Sequence, residues 1–134
     1  ERCVTYTGEV DDKSLNLYLS ACNIFWLPLK NSNANNGRFP VKLSDYLSIG
    51  RPIVATNVSD IDPFFKQYNV GLVSRDNPSE IAANVVLLQR NPGLAQSLSK
   101  NALAAANAPE NSWESRAQEL ETFYYKSMNW KSPK

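Results

Sequence analysis

The sequence predicts an α/β fold with a doubly wound parallel sheet, and three observations carry that reading. Short, almost wholly apolar runs ("NIFWLP" from Asn23, "PIVAT" from Pro52, "VGLVS" from Val70) alternate with segments whose apolar residues recur every three or four positions. Runs without in–out alternation suit strands covered on both faces, which is what β-α-β crossovers produce. Helix punctuation falls between them: Gly50 stands where a helix would end, and Asn-Pro pairs at 77–78 and 91–92 stand where helices would begin.

Taken in order, Cys3 to Thr7 reads as a first short strand. Leu15, Tyr18, Leu19 and Cys22 then mark a helix, with Asp11 or Asp12 available as its N-cap. After "NIFWLP" comes an Asn-rich segment from Lys30 to about Phe39, most simply a mobile polar loop. A helix from Pro40 to Ile49 leads into "PIVAT", and Ile61 to Tyr68 forms a short helix around Pro63. "VGLVS" makes a fourth strand. In "NPSEIAANVVLLQR", Asn77 caps, Pro78 takes the first helical position and Glu80 completes a capping box. A further helix follows from "NPGLAQ", and Trp113, Ala117, Leu120 and Tyr124 then form one apolar stripe on a long terminal helix with C-terminal packing helices before it.

Composition narrows the function classes. The 134 residues suit one domain, 1–134, able to bury a core. A net charge of +1, with basic and acidic residues interspersed, lacks the footprint of a nucleic-acid binder. Without histidine, and with Cys3 and Cys22 as the only cysteines, no ordinary zinc set or Ser-His-Asp centre can be assembled, so no metal site and no catalytic residue are assigned. Two buried thiols in a reducing cytoplasm are expected. No run reaches the ~20 apolar residues of a membrane-spanning helix, and no signal peptide is visible. The chain opens at Glu1 rather than Met, which fits a piece of something longer. The Asn57-Val58-Ser59 sequon is discounted as a chance pattern, and Glu9, Asp11 and Asp12 as a cap plus solvated charge.

The densest stretch is "NNGRFPVKLSDYLSIGRPIVAT", from Asn35 to Thr56. Pro40 at the first helical position would leave the amides of Val41, Lys42 and Leu43 open. With the helix dipole those amides favour an anion, a phosphate above all, and Gly37 would let the preceding backbone approach it. Asp45 lies five residues beyond Pro40, or ~7.5 Å at ~1.5 Å per residue, which is about the span from a diphosphate to its ribose. Lys42 shares roughly that face. The bland alternative, an exposed Lys42–Asp45 ion pair beside a turn glycine and a helix-opening proline, explains the same residues.

The segments "VTYTGEVDDKSLNLYLSACNIFWLPL", "GRFPVKLSDYLSIGRPIVATNVSDI" and "VGLVSRDNPSEIAANVVLLQRNP", closed by "NSWESRAQELETFYY", cover nearly the whole chain. Together they resemble the C-terminal, donor-binding domain of GT-B glycosyltransferases of the retaining family 4. The resemblance implies a Rossmann-like domain of a two-domain enzyme that moves a sugar from a nucleotide diphosphate donor to a glycan, lipid-linked or small-molecule acceptor. It implies a hexosyltransferase-like activity that needs no metal and no cofactor beyond the nucleotide sugar itself.

By the same resemblance, Gly37, Arg38, Phe39, Pro40, Val41 and Lys42 receive the diphosphate and Asp45 the ribose. The family's two acidic positions fall on Gly37 and Asp45, so the usual first contact to the donor sugar is replaced, and Lys42 takes part of the phosphate or sugar contact. Ser59 stands where many relatives have glycine. The family's phosphate-binding Arg and Lys would lie upstream of Val4. The acceptor domain would be N-terminal, inactive transfer being expected of the chain alone, with peripheral association at the inner membrane face through that domain. The terminal aromatic stripe would pack between domains. A binding module that has kept the fold and lost transfer is the competing expectation.

Overall fold

The computed structural model describes residues 3–128; Glu1 lies outside them. Helix α1 (Asp12–Ala21) leads to strand β1 (Phe25–Leu27), a short α2 (Asn33–Asn36), α3 (Lys42–Ile49) and β2 (Ile53–Thr56). Then come α4 (Ile61–Tyr68), β3 (Gly71–Ser74), α5 (Pro78–Arg90), α6 (Pro92–Ala106), a 3-10 turn (Pro109–Asn111) and α7 (Trp113–Ser127). Among the described residues the strands form one parallel sheet in the order β1-β2-β3, with Phe25 beside Ile53 and Ile53 beside Gly71.

The pleat divides the core in two. Phe25, Leu27, Ile53 and Ala55 meet Leu43 and Leu47 of α3, Ile61 and Phe65 of α4 and Ala102 and Ala105 of α6. On the opposite face Val54 meets Ile81 and Leu88 of α5 and Leu98 of α6. The sheet is therefore covered on both faces, as a doubly wound domain requires. Every residue of β2 is buried, because β2 alone has a neighbour on each side.

The edges correct several expectations. Cys3 to Thr7 is not a strand: it pairs with no ladder, and a strand exists only through its ladder. β1 is consequently an edge, and Trp26, expected inside, is 55% exposed on the face that α5 leaves uncovered. Of the α1 stripe only Leu19 and Cys22 reach the core, while Leu15 and Tyr18 stay largely in solvent. Asp11 does cap α1, its carboxylate accepting from the Ser14 amide at 2.7 Å. The thiols are not both buried: Cys3 is exposed and Cys22 half-buried, donating to the Tyr18 carbonyl at 3.3 Å.

Asn77 caps α5 by accepting from the Ser79 amide at 2.9 Å. Glu80 does not close the expected capping box on Asn77; its carboxylate reaches further back, to the Arg75 amide at 3.1 Å and the Arg75 guanidinium at 2.7 Å. A charged fork outbids a second backbone amide for the same oxygens. Two glycines are sterically required. Gly50 ends α3 at φ 72°, ψ 48°, where a Cβ would also run into Leu103 of α6. Gly71 lies so close to β2 that a Cβ would strike the Ile53 carbonyl.

Gly50→Ala therefore combines a left-handed backbone with overpacking, and should lower unfolding free energy by about 2–4 kcal/mol in a urea titration. Glu80 is held below its ordinary value first by the Arg75 side-chain hydrogen bond and then by the Arg75 amide. A depressed folded-state value contributes stability above the unfolded value and loses it as pH falls. The advantage of the native protein over Glu80→Gln should thus be full at pH 7 and vanish on acidification through the carboxylate range, read from melting temperature against pH.

Candidate functional site

The loops leaving the carboxyl ends of all three strands are tied into one network. Thr56, wholly buried at the end of β2, donates its hydroxyl to the Leu29 carbonyl at 2.7 Å and accepts from the Leu29 amide at 2.8 Å. The segment beyond β1 is thereby clamped to the central strand. The Asn31 amide donates to Asp76, after β3, at 3.2 Å, and the Asn36 side chain donates to Asn31 Oδ1 at 2.9 Å. Asn36 Oδ1 in turn accepts from the Ser59 amide, after β2, at 3.2 Å, and Asn35 donates to the Lys30 carbonyl at 2.7 Å.

The asparagine segment is thus an ordered brace containing α2, not the expected mobile loop. Ser59 adopts φ 59°, a left-handed conformation at the position the resemblance assigns to glycine. Its amide is held there by Asn36. Sequence reasoning missed Thr56, Asp76 and the asparagine connections; the run of four asparagines was their only trace, and it carries no partner information.

This brace delivers the predicted residues. Gly37 ends α2 at φ −89°, ψ 8°, a conformation open to any residue, and a Cβ there would meet only the Asn33 carbonyl at 3.6 Å. The backbone conformation by itself therefore does not demand glycine at this point. Arg38 is exposed, and Phe39 packs edge-to-face on Phe64 of α4, ring centroids 5.6 Å apart. Pro40 is buried. Rather than occupying the first position of α3, Pro40 and Val41 form a 3-10 lead-in: Leu43 N–H donates to the Pro40 carbonyl and Ser44 N–H to the Val41 carbonyl, both at 3.0 Å.

Two amides, those of Val41 and Lys42, are left without a protein acceptor among the described residues, instead of the three expected, because Leu43 is consumed by the lead-in. Val41 supplies no side-chain cap. Lys42 and Asp45 are both exposed and do not pair with each other, so the simple ion-pair reading fails among the described residues. Leu43 and Leu47 take the buried side of α3, and Tyr46 stacks on Phe25 at 4.2 Å, its hydroxyl pushed up chiefly by burial. Among the described residues no cluster of three His, Cys, Asp or Glu could hold a metal, and no helix is long and apolar enough to cross a membrane.

Residues 1–91 match the family model described as Glycosyl transferases group 1. The chain belongs to that family. It is 34% identical over 80 residues to the putative teichuronic acid biosynthesis glycosyltransferase TuaH of Bacillus subtilis (strain 168), covering 60% of this chain and 20% of the relative. Its fold matches sucrose-phosphate synthase from Thermosynechococcus elongatus with a TM-score of 0.73 at 22% identity, over 95% of this chain and 31% of that one. The domain therefore has the GT-B C-terminal fold, and it spans about a fifth to a third of the length of the relatives it matches.

The Thr56 clamp is the part of this glycosyltransferase-family site that a single substitution tests. Thr56→Val keeps the shape and removes both hydrogen bonds, leaving the Leu29 carbonyl unpaired and the Leu29 amide with only its longer bond to the Leu27 carbonyl at 3.2 Å. It should cost about 1–3 kcal/mol in chemical denaturation and increase amide exchange through residues 29–36.

Proposed function

We propose that the domain binds the nucleotide diphosphate sugar of a metal-independent, retaining glycosyltransferase whose acceptor is a glycan. One observation supports this reading above the others: the braced loop presents two acceptor-free amides and Lys42 together at the carboxyl edge of a doubly wound sheet. That edge is where such sheets bind ligands. The donor's diphosphate would lie against Phe39, Pro40, Val41 and Lys42, with Gly37 and Arg38 lining the approach and Asp45 accepting from ribose hydroxyls.

Family membership supports transfer, and the relative's named role in teichuronic acid biosynthesis supports a polysaccharide acceptor. On this reading the domain accelerates transfer by positioning the donor and by stabilising negative charge on the leaving diphosphate. The two amides, the helix dipole and the Lys42 ammonium act on that charge without reorganising. No side chain of this domain serves as a general base. The groups that hold the acceptor's reacting end come from a second, N-terminal domain, and the enzyme works in the cytoplasm at the inner face of the membrane.

In the complete enzyme, Asp45→Ala should weaken nucleotide-sugar binding by about 1–3 kcal/mol, the cost of losing a charged acceptor, in a calorimetric titration. Unchanged affinity would remove Asp45 from the site. Failure of a panel of uridine, guanosine and adenosine diphosphate sugars to bind at all would instead establish the competing binding module that has lost transfer.

A further inference from the structure

A recess of about 790 Å³ opens between α3, α4 and the start of α7. Phe39 and Phe64 line one side and Trp113, 74% exposed, lines another. Asp60, Gln67 and Glu114 also line it, all exposed and all without a side-chain partner among the described residues. The walls are held in place from behind. Tyr68 donates to Glu110 at 2.9 Å, the Asn111 side chain donates to the Ala105 carbonyl at 2.9 Å, and Arg116 bonds Asn111 at 3.2 Å and Glu119 at 2.9 Å. Arg116, the one cation on the lining, is thus already engaged.

The volume lies within the ~300–1,000 Å³ of ordinary ligand pockets, and the lining has their pattern of aromatic walls with a few convergent polar groups. With the one cation of the lining already engaged, two unpaired carboxylates oppose a phosphate or a sugar acid by like-charge repulsion. This recess is therefore a poor diphosphate site, although Phe39 and Val41 line both it and the α3 start. Aromatic faces offered with carboxylate and carboxamide oxygens suit a different guest, one with apolar C–H faces and rims of neighbouring hydroxyl donors.

We propose that this recess is a carbohydrate subsite that holds uncharged sugar units of the acceptor or product chain beside the donor. Trp113 and Phe39 stack on ring faces, and Asp60, Gln67 and Glu114 accept from hydroxyls. The role as an acceptor subsite rests on the donor reading above; the affinity for uncharged oligosaccharide does not.

The test is calorimetry on the complete protein with maltohexaose, cellohexaose and laminarihexaose, each with and without a saturating nucleotide sugar. At least one should bind in both conditions. Trp113→Ala should weaken it tenfold or more, Gln67→Ala severalfold and Asp45→Ala less than twofold. Melting temperature is read for each variant, and Trp113→Phe, which keeps a stacking face, should retain most of the binding that Trp113→Ala loses, so that lost affinity is separated from lost folding.

Binding of none of the three, or binding indifferent to Trp113→Ala, overturns the proposal. Displacement of the hexasaccharide by nucleotide sugar also overturns it, by making the recess the donor's own pocket. Hexasaccharide binding without any nucleotide-sugar binding would sink the donor reading and leave the carbohydrate site standing.

Discussion

The structure depends on a pair of hydrogen bonds between one hydroxyl and one residue's backbone, Thr56 Oγ1 to the amide and carbonyl of Leu29. Among the described residues Thr56 ends the one strand flanked on both sides, so whatever it grips inherits the rigidity of the sheet. It grips the chain just where β1 becomes the long loop to α3. A buried hydroxyl must be satisfied, and a loop carbonyl and amide in the interior must be too; pairing them with each other meets both demands at once. The asparagine brace extends that attachment, tying the same segment to Ser59 after β2 and to Asp76 after β3.

From the clamp outward, order is carried by polar contacts rather than by burial. Asn31, Asn36, Ser59 and Asp76 link the three loops through hydrogen bonds at the exposed carboxyl edge, which holds that edge to one geometry. Beneath it, Leu43 and Leu47 anchor α3 to the sheet and to α6, while Lys42 and Asp45 remain in solvent on the other side. The division follows from helical spacing: the residues that hold the helix and those left in solvent cannot share a face. α7 differs, since none of its residues is buried, and Trp113, Leu120 and Tyr124 stay exposed. Its attachment is through the polar contacts of Glu110, Asn111 and Arg116.

Much of this was legible in residues alone. Gly50, the Asn-Pro helix openings and the apolar runs of β2 and β3 mark their elements because capping, φ restriction and two-sided burial act locally. The misreadings share one cause. Cys3 to Thr7 has strand-like composition but no ladder, Trp26 lies in an apolar run but on an open edge, and Glu80 has capping-box spacing but a better partner in Arg75. In each case the deciding neighbour lies outside the pattern that was read. Pro40 shows the same at finer scale: its ring permits a helix start, and a 3-10 turn spends one of the amides that start would have left open.

By itself the sequence determined the class of fold, the order of its elements from the first helix onward except for α2, and the stretch from Gly37 to Asp45 as the place where charge and open amides meet. These are matters of periodicity and backbone chemistry, written within a few residues of each other. Only the tertiary structure decided that Thr56 holds Leu29, that Asn36 reaches Ser59, and that Phe39 and Trp113, more than seventy positions apart, face one recess. Such pairings depend on how parallel strands bring distant loops to a common edge, and a hydrogen bond acts only at contact distance, whatever the separation along the chain.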